Sequence, residues 1–129
     1  MSPDDIRELF SVFGPVEVRR LFGGAGIYAD GTMLGLVHEG VIYLKVDAES
    51  AAAFEREQLE PFSYPRRGER ASLSSYRRMP DRLYDDPDEL ATWARAALAA
   101  ALRRQAGKRR ASPKKDGKGP RKAGKRRKS

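Results

Sequence analysis

After Leu102 the chain contains no Val, Ile, Leu, Met, Phe, Tyr or Trp. Residues 103–129 are Lys, Arg, Ala, Gly, Ser and Pro, with one Gln and one Asp. Such a stretch has no apolar surface to bury against the entropy lost on ordering it. Any hydrophobic core must therefore come from residues 1–102, and residues 103–129 are expected to form a disordered basic tail. Charge divides at the same place. Residues 1–102 carry 12 Lys and Arg against 17 Asp and Glu, a net of −5, whereas residues 103–129 carry 14 against the single Asp116, a net of +13. The overall charge of +8 belongs to the tail. The mildly acidic body makes a poor general nucleic-acid surface, and the tail makes a plausible one.

Within 1–102 the pattern is mixed. Ser2-Pro3-Asp4-Asp5 is a helix start, with a capping hydroxyl, a proline suited to the first helical position and two acids facing the helix dipole. Ile6, Leu9, Phe10 and Phe13 then share one face, and Gly14-Pro15 ends the helix. Strand-like runs come next at 16–22, 26–29, 32–38 and 41–46, with Asp30-Gly31 and Glu39-Gly40 as turns. The alternation in 41–46 puts Ile42, Leu44 and Val46 on one face and Val41, Tyr43 and Lys45 on the other. Asp47 caps a short helix over 48–58 anchored by Phe54. Residues 61–65 read as an extended, proline-bounded segment, and 70–79 as an edge strand because of its charges. The clearest helix opens at Asp85-Asp86-Pro87, with Leu90, Trp93, Ala94, Ala97, Leu98, Ala101 and Leu102 on one stripe. The expected fold is α+β: a small antiparallel meander flanked by helices, followed by the basic tail.

Gly24-Ala25-Gly26-Ile27-Tyr28-Ala29 matches G-x-G-x-x-A, one form of the dinucleotide-binding fingerprint. That fingerprint requires a helix after the glycines, whose N-terminal amides hold the pyrophosphate. Here a strand and a hairpin turn come after them, so the glycines read as a bulge or turn between strands, and no cofactor is expected. His38 is the only histidine and there is no cysteine. Neither metal ligation nor a catalytic triad has the residues it needs, and no enzymatic activity is expected. The acids at 85–89 read as a cap and an acidic first turn rather than a metal site. Trp93 reads as core, with a dimer contact as the alternative. The N-terminus lacks the basic-then-apolar form of a secretory leader, and no apolar run approaches the roughly 18 residues of a membrane span. A cytoplasmic protein without membrane contact is expected.

RLFGGAGIYADG (20–31), YLKVD (43–47), LEPFSY (59–64), SSYRRMP (74–80) and DDPDELATWARAALAAA (85–101) form an ordered series. Together they resemble the N-terminal domain of the TfoX/Sxy family of bacterial competence regulators, over about residues 2–102. The resemblance implies a small α+β domain without established catalysis or cofactor, linked to transcriptional control of DNA-uptake genes alongside a cyclic-AMP receptor-type activator. Longer members carry a second, helical domain where this chain has its basic segment. Arg20, Phe22, Gly23, Gly24, Tyr28 and Lys45 match family motif positions. They stand as a candidate interaction surface, or, alternatively, as packing and backbone geometry with Lys45 lying over an aromatic such as Tyr43.

The tail cations are Arg103, Arg104, Lys108, Arg109, Arg110, Lys114, Lys115, Lys118, Arg121, Lys122, Lys125, Arg126, Arg127 and Lys128. Ser112-Pro113-Lys114-Lys115 resembles the SPKK motif of minor-groove binders. A flexible cation of this density displaces counterions from DNA or RNA, with low sequence specificity. The sequence thus points to a transcription-related regulator or adaptor. Its body would meet a transcription factor or polymerase, and its tail would tether it to nucleic acid. The alternative is a nucleoid- or RNA-associated architectural protein whose body forms a homodimer.

Overall fold

The sheet is built outward from its turns. A computed structural model describes residues 1–21, 23–66 and 68–111. Asp30 and Gly31 both take positive φ, 49° and 79°, and join β2 (Gly24–Ala29) to β3 (Thr32–His38). Glu39 and Gly40, at 51° and 77°, join β3 to β4 (Val41–Lys45) in the same way. Positive φ at both central residues gives the turn whose twist matches that of two paired strands. β1 (Glu17–Leu21) pairs antiparallel to β2 with Leu21 opposite Gly24. The antiparallel meander is as the sequence predicts.

After β4, Asp47 and Ser50 exchange hydrogen bonds: the Asp47 amide donates to Ser50 Oγ at 3.0 Å, and the Ser50 amide to Asp47 Oδ1 at 3.1 Å. This turn uses residues 48–50, so α2 is only Ala51–Arg56, shorter than the predicted 48–58, with Phe54 buried. β5 (Pro61–Arg66) and β6 (Glu69–Arg78) then form a hairpin, and the sheet order is β1-β2-β3-β4-β6-β5. The strand predicted at an edge therefore lies inside the sheet. Tyr76, Arg77 and Arg78 of β6 pair with β4, and β5 takes the outer place. Pro61 and Pro65 explain this, because an edge strand tolerates residues with no N–H to donate.

One face of the sheet carries the core. α1 (Pro3–Leu9) begins in a capping box formed by Ser2 and Asp5 and buries Ile6, with Phe10 just beyond. A short 3-10 helix, Asp81–Asp85, which the sequence reading does not anticipate, buries Leu83. Beside it, the Tyr84 hydroxyl accepts the Ile42 amide at 2.9 Å. α3 (Pro87–Ala111) packs mainly across β3 and β4, where Leu90, Ala94 and Ala97 meet a core that includes Ile27, Leu34, Ile42 and Leu44. Asp86 caps this helix, its Oδ1 accepting the Glu89 amide at 3.1 Å, as the acidic first turn predicts.

α3 does not stop at Leu102, which is itself 48% exposed. Arg103, Arg104, Lys108, Arg109 and Arg110, expected in the disordered tail, belong to the helix. Once a helix is nucleated, Arg, Gln, Ala and Lys extend it cheaply, and cations near its C-terminus suit its dipole. Polar contacts hold the extension. Arg103 Nε and Nη2 donate to Asp47 Oδ2 and Oδ1 at 2.6 and 3.0 Å, and Gln105 Nε2 donates to Thr32 Oγ1 at 3.3 Å. Lys114, Lys115, Lys118, Arg121, Lys122, Lys125, Arg126, Arg127 and Lys128 lie outside the described residues.

Candidate functional site

Antiparallel pairing places directly opposed residues on one face of a sheet. The rows Val18–Ile27–Gly35–Leu44 and Arg20–Ala25–Val37–Ile42 belong to the core side. The alternate rows, Leu21–Gly24–His38–Val41 and Arg19–Gly26–Leu36–Tyr43, occupy the other face. A cleft of about 640 Å³ opens beside these rows, lined by Leu21, Gly24, Met33, Leu36, His38, Phe62, Leu73 and Tyr76, and also by Ala25 and Val37 of the neighbouring core-side row. Phe62 of β5 closes it by packing edge-on against His38 and Tyr43, with centroids 5.3 and 4.9 Å away. A mostly apolar concavity of this size suits an apolar side chain or small molecule. The described residues include no group of three or more His, Asp or Glu side chains that could hold a metal ion.

The predicted surface residues are only partly brought together. Gly24 and Tyr28 lie on β2 and Lys45 on β4, with Tyr28 half-buried beneath the Arg19 guanidinium, 4.6 Å from its ring centroid. Arg20 is exposed at the sheet edge and belongs to a core-side row, so strand alternation separates it from Gly24. Gly23 is the exposed turn residue with φ 75°. Phe22 lies outside the described residues. The glycines form a turn and strand with no helix after them, as read from the sequence. Trp93 packs edge-on against Phe54 at 4.9 Å, and its Nε1 donates to Glu89 at 3.3 Å.

Lys45 lies over Tyr76 rather than Tyr43, with Nζ 4.6 Å from the ring centroid. Tyr76 is its direct cross-strand partner, while Tyr43 is engaged by Phe62. A second hollow of about 330 Å³ opens beside Lys45, between β4, β6 and α3, lined also by Ser75, Arg77 and Arg104. Burial, and then the charges of Arg104 and Lys108, push the Lys45 ammonium below its ordinary pKa. Burial likewise raises the Tyr76 hydroxyl. Asp47, at the rim, is held down to about 2 chiefly by its hydrogen bond from Arg103.

Of the cleft residues sequence reasoning singled out only Gly24, and it placed Arg104 in the tail rather than beside Lys45. One signal was available: TMLGLVH (32–38) is apolar almost throughout, which marks a strand with apolar residues on both faces rather than one. Among the described residues, no helix is long and apolar enough to cross a membrane. Residues 8–101 match the family described as the TfoX N-terminal domain. No curated protein matches the chain.

Proposed function

The chain belongs to the TfoX N-terminal domain family, and from that premise we propose a non-enzymatic, transcription-related adaptor. Its folded body docks a transcription factor or polymerase through the sheet face beside the cleft, and its basic C-terminal segment tethers it to nucleic acid in the cytoplasm, at the nucleoid. The observation that carries this reading is the division of charge along one helix. α3 buries Leu90, Ala94 and Ala97 against the sheet, then bears Arg104 and Lys108 and leads toward the Lys- and Arg-rich residues 112–129. The apolar cleft supports docking, since few polar groups converge in it. Tethering raises the local concentration of the body near a DNA-bound partner without any sequence readout of its own.

The test is fluorescence anisotropy with a duplex of about 20 base pairs across a salt series. If about 7 phosphates are contacted, the slope of log K against log salt is about −6. Changing Lys114, Lys115, Lys118 and Lys122 to Gln flattens the slope by about 0.9 for each phosphate no longer neutralised. Binding that is absent, or unchanged in this variant, rejects the tether. Recovery of no protein partner in a gentle pull-down with the full chain rejects the adaptor role.

A further inference from the structure

We infer that the hollow between β4, β6 and α3 is a phosphate-binding pocket, occupied by a phosphate group of a nucleic-acid backbone or of a free phosphate compound. Residues of three elements line it, Lys45 of β4, Arg77 of β6 and Arg104 of α3, and of these Lys45 and Arg104 bring their charges close enough to act on one another, while the Arg77 guanidinium turns toward Leu59 and Glu55. Lys108 lies one helical turn beyond Arg104 and so extends the same face. Asp47 is the one acid on the wall. It is already taken, since both its carboxylate oxygens accept hydrogen bonds from Arg103.

The cations themselves are left with donors to spare. Among the described residues, neither Lys45 nor Arg104 forms an ion pair. Arg77 donates Nη1 to the Leu59 carbonyl at 3.0 Å and approaches Glu55 at 3.5 Å, but its Nε is buried with no hydrogen-bond partner. Burial, and after it the like charges of Arg104 and Lys108, disfavour the Lys45 ammonium. An anion with several acceptor oxygens relieves the repulsion. Phosphate offers tetrahedrally arranged oxygens, enough to accept from the Lys45 ammonium and the Arg104 guanidinium together. A planar carboxylate has only two oxygens for the same donors. Charge-assisted hydrogen bonds of Lys and Arg to phosphate are among the strongest a protein surface makes.

The pocket rests on the tether reading only for the source of its phosphate, and the test separates the two. Inorganic phosphate is titrated into the full chain by calorimetry, and the duplex is titrated by anisotropy. Both are repeated for Lys45→Gln, Arg104→Gln and, as a control away from the pocket, Arg20→Gln. The two pocket variants are expected to weaken phosphate binding at least about 10-fold, while Arg20→Gln leaves it unchanged. Removing one member of a repelling cluster keeps the melting temperature at or above that of the parent, so weaker binding is not unfolding. If the pocket variants also flatten the duplex salt slope by about 0.9, the occupant is a backbone phosphate. If phosphate binding falls but the duplex slope does not, the pocket stands and its ligand is a free phosphate compound. If the parent does not bind the duplex, the tether reading fails while the phosphate titration still judges the pocket. Phosphate that binds parent and pocket variants alike, or does not bind the parent, overturns the inference.

Discussion

Replacing Gly24 with Ala tests whether the glycine run serves the backbone or a ligand. A Cβ at Gly24 would lie 2.1 Å from the Val37 carbonyl oxygen and 3.2 Å from its carbon. Contact at this range starts near 3.4 Å, so the strands must part by about 1 Å. The obstacle is main chain, and it belongs to β3, which is hydrogen-bonded on both sides. No rotamer change relieves it. Overpacking of this kind costs about 1–3 kcal/mol, and a rigid central strand puts Gly24→Ala at the upper end, about 2–3 kcal/mol. For a domain of this size that lowers the melting temperature by about 10–20 °C. Two neighbours calibrate the result. At Gly35 a Cβ would meet the Tyr43 carbonyl oxygen at 2.9 Å, a milder clash with main chain. At Gly26 it would meet the ends of the Tyr28, Leu21 and Met33 side chains, which can turn aside. Urea unfolding followed by circular dichroism should therefore rank the losses Gly24→Ala, then Gly35→Ala, then Gly26→Ala. Gly24→Ala within about 0.5 kcal/mol of the parent would refute the close approach of β2 and β3 as the reason for glycine there.

Two further perturbations probe the edges of the core. Asp47→Asn removes the Arg103 ion pair, and because both groups are partly exposed the loss is about 1 kcal/mol or less. Asp47 titrates near 3.8 when unpaired and at about 2 when folded. Its contribution is therefore complete above about pH 4 and drains away as pH falls through about 2, so parent and variant should converge in acid unfolding curves. Tyr84→Phe leaves the buried Ile42 amide without its acceptor. A loss of about 1–2 kcal/mol is expected by chemical denaturation, with faster hydrogen exchange at that amide, and unchanged exchange would discount the bond.

Local signals were legible in the sequence where a residue's own chemistry settles its geometry. Asp30-Gly31 and Glu39-Gly40 carry the positive φ values that their turns require, so the meander could be read directly. Ser2 and Asp5 form their capping box for the same reason. Strand order across the sheet was less legible, because the charges of β6 suggested an edge while the prolines of β5 decided it. The cleft was harder still. It arises from residues on all strands except β4, and Phe62 reaches His38 only once β5 has folded beside β6. Alternation shows which side of a strand is apolar, but not which other strand will face it.

The end of the folded body is the most consequential misreading, because the same residues bear on function. Counting apolar side chains ends the body at Leu102, yet the helix continues on Arg103–Asp47 and Gln105–Thr32 contacts that no hydrophobicity pattern registers. Those contacts bring Arg104 to the wall that Lys45 and Arg77 share. A chain cut after Leu102 would lose part of the pocket wall along with the basic segment, and any deficit in DNA binding would be assigned wholly to the tail. A chain cut after Ala111 keeps the pocket and removes only residues 112–129. If the two truncations bind the duplex equally weakly, the folded body contributes no phosphate contact. If the longer one retains affinity and a shallower salt slope, the body and the tail grip the backbone as successive parts of one charged track.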